Sequence, residues 1–250
     1  MLNKIDKSDY YRYIPLAKAH DSGKIYPQAI AENIQYGDIY EDKNAVLFHA
    51  YGGFAYVAGE MNEDFLSEVY SMMTDENRSR RFILLTRDEN IHSYFALKDN
   101  ISIEKRYLYH YFYDTPVEVK LLDGYEIKEM DKNILENLSG RIIPSLFWHN
   151  TDEFIEKGKG YCVMQGNEIA AWAFSASVSY EEIDIGLETA EKYRGQGLAT
   201  VAAKMMMKYT QEQGKAPVWA CYYKNMASQK IAEKLGFSKT AECYIIKSAQ

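Results

Sequence analysis

Between residues 182 and 209 the chain changes its hydrophobic period, and the change falls on two glycines. The run EIDIGLET at 182–189 reads as a strand. Arg194-Gly195-Gln196-Gly197 follows, and then Leu198, Val201, Ala202, Met205 and Tyr209 share one helical face. A strand entering a helix through glycines is an α/β building block. It also sets up an anion site. The first turn of a helix leaves N–H groups unpaired, and its dipole favours negative charge. Glycines keep side chains away, so a phosphate can reach those groups. Arg194 can add a charge-assisted contact. The expected ligand is a pyrophosphate.

Two familiar phosphate loops are excluded. The chain has no GxxxxGK followed by Ser or Thr, and a GxGxxG fingerprint starting at Gly195 would need glycine or alanine where Thr200 stands.

The rest of the pattern is also α/β. The run at 45–58 predicts two strands around Gly52-Gly53, and residues 63–73 have helical spacing. Residues 82–85 and part of 103–112 predict strands, and 91–97 a short helix. Asp114-Thr115-Pro116 and Asp123-Gly124 are turn chemistry. They place a junction near 114–123, giving an N-terminal α/β domain over 1–118 and a C-terminal domain over 119–250. In the second half, 125–130 alternates like an edge strand and 132–138 reads as a helix. Thr151 or Asp152 is the expected cap of another helix. Residues 161–164 and 169–177 predict a hairpin around Gln165-Gly166-Asn167. Residues 217–223 predict a strand, 227–235 a helix ended by Gly236, and 237–247 a last strand or two.

Charge and cysteine content narrow the partners. The net charge is −7, from 29 basic and 36 acidic residues, with no extended basic patch. Nucleic acid is therefore not an expected partner, and an acidic surface favours approach of cationic substrates. Three cysteines and five histidines show no metal-ligand spacing, so no metal is expected. The N-terminus lacks a signal-peptide core, and no stretch has the apolar length to span a membrane. A cytoplasmic protein with reduced thiols is expected.

The segment ETAEKYRGQGLA at 188–199 resembles the acetyl-CoA motif of the GNAT superfamily of N-acetyltransferases, Q/R-x-x-G-x-G/A, with Arg194, Gly197 and Ala199 at its fixed places. A second signature follows in order: Asn225-Met226-Ala227-Ser228, then AEKLGF at 232–237. The resemblance covers roughly 123–250. Together with Trp219, these segments further resemble a bacterial subfamily that includes the zwittermicin self-resistance acetyltransferase.

The resemblance implies a C-terminal GNAT fold, a mixed central sheet flanked by helices. Strand-helix order suggests that the N-terminal domain is a diverged GNAT-like half. Function by resemblance is transfer of an acetyl group from acetyl-CoA to a small amine: an antibiotic, polyamine, amino sugar or amino acid. Backbone groups of Leu187 and Thr189 would pair with pantetheine beside a bulge. The N–H groups of Gly195, Gln196, Gly197, Leu198, Ala199 and Thr200 would cradle the pyrophosphate. Asn225 would touch pantetheine or cap a helix, and Ser228 would cap it or meet a phosphate. Glu188 is the candidate base from its place beside the bulge. The family often has a tyrosine acid where this chain has Ala232, leaving Tyr222, Tyr223 or Tyr244 as substitutes, with Tyr244 preferred. Two alternatives stay open: a catalytically silent CoA-binding protein, and an aminoacyl transferase with paired GNAT-like domains. The oligomeric state is open, a homodimer included.

Overall fold

The same order of strands and α-helices occurs twice. The first round is β1 (Asn3–Lys4), a 3-10 turn, α1 (Ile14–Lys18), α2 (Ile25–Ala31), β2 (Gly37–Asp42), β3 (Ala45–Ala50), β4 (Phe54–Gly59), α3 (Glu63–Thr74), β5 (Ile83–Thr86), α4 (Glu89–Ala96) and β6 (Ile101–His110). The second is β7 (Glu126–Glu129), α5 (Lys132–Asn137), a 3-10 turn, α6 (Thr151–Lys157), β8 (Gly160–Gln165), β9 (Glu168–Val178), β10 (Glu182–Thr189), α7 (Leu198–Glu212), β11 (Ala216–Tyr222), α8 (Met226–Lys234) and β12 (Ser238–Ser248). The N-terminal half thus repeats the plan of the C-terminal half, although no sequence repeat announces it. The structure, a computed structural model, describes residues 2–113 and 115–249. Asp114, the first residue of the expected turn at 114–116, lies outside the described residues.

Two compact units result, and they are not contiguous in sequence. Residues through Leu108, with Cys221–Lys224 and those from Thr240 on, form unit 1; Tyr109–Ala220 and Asn225–Lys239 form unit 2.

In unit 1 the strand order is β1-β2-β3-β4-β5-β12-β6. The first four strands are antiparallel, β5 runs parallel to β4, and β12 lies antiparallel beside β5. All six residues of β3 are buried, as for a strand covered on both faces. Gly53 turns the chain into β4 at φ +93, where a Cβ would sit 2.6 Å from Arg81 Cβ. Only glycine fits there. Phe65, Leu66, Val69 and Met73 of α3 pack on Leu47, Val57, Leu84 and Ile246. Their i, i+3, i+4 spacing is what the sequence pattern at 63–73 predicts.

His49 of β3 is 5% exposed, and its Nε2 lies 2.9 Å from the Arg81 carbonyl. Burial, helped by the Arg80 guanidinium, pushes its pKa down to about 4. The folded ring stays neutral where the unfolded one, near its ordinary 6.5, takes up a proton. Stability from this residue is complete above pH 6.5 and is lost as pH falls towards 4, by about 3 kcal/mol in all. Denaturant unfolding of wild type and His49→Asn at pH 7 and pH 4.5 checks this. The variant is expected to show the smaller pH dependence.

In unit 2 the strand order is β11-β10-β9-β8-β7. β10 and β11 are parallel and the other neighbours antiparallel. The hairpin predicted at 161–177 is present as β8 and β9, turned at Gly166 with φ +58. α7 covers β8, β9 and β10. Its buried stripe is Leu198, Val201, Ala202, Ala203, Met206, Met207 and Thr210. Met205 and Tyr209, expected on that face, are only half-buried at its margin. A helix lying over three strands buries a broader stripe than the minimal pattern picks out, centred here nearer Ala202 and Met206. Trp148, 1% exposed, donates from Nε1 to the Ser175 carbonyl at 2.8 Å and packs edge-on against Phe154. The cap of α6 is Asn150, whose side chain accepts from Glu153 N–H, and not Thr151 or Asp152. Asn at an N-cap reaches the third N–H beyond it as well as Thr or Asp does, so the helix starts one residue early.

Candidate active site

Strand β10 pairs with β11 over only Glu182, Ile183 and Asp184, and its register against β9 slips between Asp184 and Ile185. The bulge and the end of pairing coincide. From Gly186 to Thr189 the strand is half-buried instead of buried. Its backbone edge beyond Asp184 therefore remains available to an extended ligand, in the way a sheet edge takes another strand. The separation expected beside Leu187 and Thr189 is present.

The chain then passes through a 3-10 turn, Glu191–Tyr193, into the glycine turn. Tyr193 is buried and donates its hydroxyl to Glu168 Oε2 at 2.6 Å, and Lys192 bonds the same oxygen. Gln196 Oε1 accepts from the Tyr125 hydroxyl at 2.6 Å. The turn is thus pinned on both sides. Gly195 and Gly197 have φ +79 and +82, and no heavy atom lies within 4 Å of where either Cβ would stand. Gly197 caps α7 in the left-handed conformation with no side-chain cap, and the first turn carries no acidic residue. Among the described residues no acceptor takes the N–H groups of Gly195, Gln196, Gly197, Leu198 or Ala199, whereas Thr200 N–H bonds Gly197 O. The result is an open, electropositive helix start.

The equivalent point of the N-terminal half is built differently. α3 is capped by Asn62, whose side chain accepts from Phe65 N–H, and Glu63 and Asp64 occupy its first turn. A filled cap and two carboxylates repel an anion, so that half lacks the feature that defines the site.

A cleft of about 520 Å³ runs along the open helix start. Leu187, Glu188, Thr189, Arg194, Gly195, Gly197, Leu198, Ala199, Thr200, Asn225 and Ser228 line it, with Arg141, Tyr193, Ala227 and Ile231. Eleven of the thirteen sequence-selected residues therefore come together. Gln196 lies on the same turn but does not line the cleft. Tyr244 is on β12 in unit 1, where its hydroxyl donates to Glu89 Oε1 at 2.8 Å and its ring stacks on His92. It is absent from the cleft lining.

Asn225 caps α8: its Oδ1 accepts from Ser228 N–H at 3.1 Å. Its expected capping role is therefore present, while its amide N–H groups have no partner among the described residues. Ser228 Oγ accepts from Trp219 Nε1 at 3.0 Å, which fixes the hydroxyl at the cleft wall. Ala232 is wholly buried in α8 and offers no acid.

Glu188 has tertiary partners that sequence reasoning missed. Its Oε2 accepts the N–H groups of Arg141 and Ile142, each at 2.8 Å. Trp172, paired with Glu188 across β9 and β10, donates from Nε1 to Ile142 O at 2.8 Å. Gly140 lies so close that a Cβ would be 2.6 Å from the Trp172 ring and 2.7 Å from Glu188 Oε2. Only the lack of a side chain at Gly140, following Ser139 in the turn, could have hinted at that approach.

All three cysteines are free and buried. Burial pushes the thiol of Cys162 up to about 12 and that of Cys243 up to about 11. A thiolate is the nucleophile, and burial disfavours it at both. The folded protein should resist iodoacetamide at pH 8 and take up label only in denaturant, as mass spectrometry will register.

This arrangement of a split strand, glycine turn and uncapped helix is that of an acyltransferase of the GNAT class. The GNAT acetyltransferase family model matches residues 15–246, and the chain belongs to that family. Membership thus extends well beyond 123–250, into the N-terminal half. The chain is an N-acetyltransferase. It is 27% identical over 206 residues to the uncharacterized N-acetyltransferase YdfB of Bacillus subtilis (strain 168), covering 78% of each chain. Its fold matches a GCN5-related N-acetyltransferase-like protein from Streptococcus suis 89/1591 with TM-score 0.75 and 20% identity, over 97% of this chain and 100% of that one. A tandem GNAT protein from the clavulanic acid biosynthesis pathway matches with TM-score 0.64 and 9% identity, over 100% of this chain and 98% of that one. The repeated element order agrees with that tandem plan.

Proposed function

We propose that the chain binds acetyl-CoA in this cleft and passes the acetyl group directly to a small primary amine. The observation that carries the reading is the row of unpaired N–H groups from Gly195 to Ala199, opening onto a cleft that continues along the unpaired part of β10. Those amides and Arg194 would hold the diphosphate. Backbone groups of Leu187 and Thr189, with the amide of Asn225, would hold the pantetheine arm.

In this reading the amine nitrogen attacks the thioester carbonyl carbon. The carbon–sulfur bond breaks, CoA leaves as thiolate, and the amine proton goes to a base. Glu188 is that base through Oε1, because Oε2 is committed to the 141–142 backbone. No protein acid is assigned, since a thiol with a pKa near ~8.5 departs tolerably as thiolate. The Tyr244 hydroxyl, engaged with Glu89, has no part in this step.

A net charge of −7 without a basic patch supports a small-molecule acceptor over nucleic acid. The buried free thiols agree with a reducing, cytoplasmic setting. The test is release of free CoA from acetyl-CoA across a panel of amines. Release that depends on particular amines is expected. Tight acetyl-CoA binding with no release for any amine would instead make the chain a silent CoA-binding protein.

A further inference from the structure

We infer that the acceptor is a zwitterion, an amine that also carries a carboxylate, such as an amino acid or short peptide, and that Arg141 selects it. This rests on the acetyltransferase reading and narrows it. Arg141 lies in the turn between α5 and α6 and lines the cleft beside Leu187, Glu188 and Thr189. Its backbone is fixed by the two bonds to Glu188 Oε2 and by the Trp172 bond to Ile142 O. A turn held this firmly fixes the point from which the side chain reaches into the cleft. Yet the side chain is exposed, and its guanidinium has no ion pair or hydrogen bond among the described residues. A neighbouring carboxylate would ordinarily satisfy it. Here Glu188 turns Oε2 to the backbone and makes no salt bridge with Arg141. When ligands fill the cleft, an unpaired guanidinium loses water and needs an anion.

Two anions compete for it: the phosphates of the coenzyme and a carboxylate on the acceptor. The phosphates already have the N–H groups of the glycine turn and Arg194. Arg141, by contrast, is tied to Glu188, on the strand that precedes that turn. The charged side chains lining the cleft are Arg141, Glu188 and Arg194. With Arg194 on the diphosphate, one cation and one anion remain. That pair complements a zwitterion: the amine meets Glu188 Oε1, and the carboxylate takes the fork of Arg141. A polyamine or aminoglycoside would set several positive charges against one carboxylate and a guanidinium, which selects against it. The acidic surface then aids approach in general and does not define the acceptor.

The test is acetylation of free amino acids and glycyl dipeptides against their C-terminal amides and against spermidine. Acetyl-CoA affinity is measured separately by calorimetry. The carboxylate forms should exceed their amides at least ~10-fold in kcat/KM, the size of one charge-assisted pair. Arg141→Ala should erase that preference by raising KM for the acids. Its acetyl-CoA affinity should stay near that of wild type, and Arg141→Lys should recover part of the preference. A preference for amides or spermidine would overturn the inference, as would failure to acetylate any carboxylate-bearing amine. So would an Arg141→Ala variant that loses acetyl-CoA affinity with acceptor preference intact, because the guanidinium would then belong to the phosphates. A wild-type protein that does not bind acetyl-CoA is a different result, and it removes the acetyltransferase reading itself.

Discussion

Gly197→Glu is expected to abolish acetyl-CoA binding, with a loss above ~100-fold in calorimetry. The residue sits at the opening of α7 at φ +82, with empty space where its Cβ would stand. A glutamate there fills the anion site and opposes it with like charge. Each charge-assisted hydrogen bond lost is worth about 1.5–3 kcal/mol, so two suffice for the effect. Backbone strain at positive φ adds about 1–2 kcal/mol to the cost of folding. Gly166→Glu is the matched control, with φ +58 and equally open surroundings in the β8–β9 hairpin. Both variants should lose a similar few degrees in Tm, and only the first should lose the ligand. Since α3 is capped by Asn62 and acidic in its first turn, one molecule of acetyl-CoA per chain is expected in wild type and none in Gly197→Glu. Normal binding by that variant would remove the site.

Glu188→Gln should lower kcat by about 100-fold and leave acetyl-CoA affinity unchanged. The amide oxygen of glutamine can still accept from Arg141 and Ile142 N–H, so the turn stays in place while the base is lost. Glu188→Ala removes both roles. It frees the N–H groups of two exposed residues, which water can satisfy, so stability changes little while the loosened turn should raise the acceptor KM as well. Steady-state kinetics on both variants separates the functions. If Glu188→Gln turns over normally and Glu188→Ala does not, Glu188 positions the turn and is no base.

The strand, glycine turn and helix of residues 182–212 were legible because three local signals agree there. They are a period of two, a period near 3.6, and glycines where the backbone needs positive φ. The uncapped helix start was legible for the same reason, because it is a local property. What escaped is either short or non-local. All seven residues of α2 are buried, so it shows no amphipathic period, and α1 has only five residues. No element was expected before residue 45, although β1, α1, α2 and β2 lie there. The pairing of β12 with β5 joins Tyr244 to Thr86 across most of the chain, a register that no local pattern encodes. That pairing sets Tyr244 beside Thr86, a placement that nearness in sequence to the second signature does not give. Glu188 was chosen for its place on the strand. Its grip on Arg141 and Ile142, more than forty residues away, is a tertiary fact, and so is the cleft position of Arg141.

The most direct measurement is a crystal structure of the protein with acetyl-CoA. Diphosphate oxygens are expected at about 2.7–3.2 Å from main-chain nitrogens between Gly195 and Ala199, with the pantetheine arm beside Leu187 and Thr189. A coenzyme bound elsewhere, with those amides still facing solvent, would contradict it.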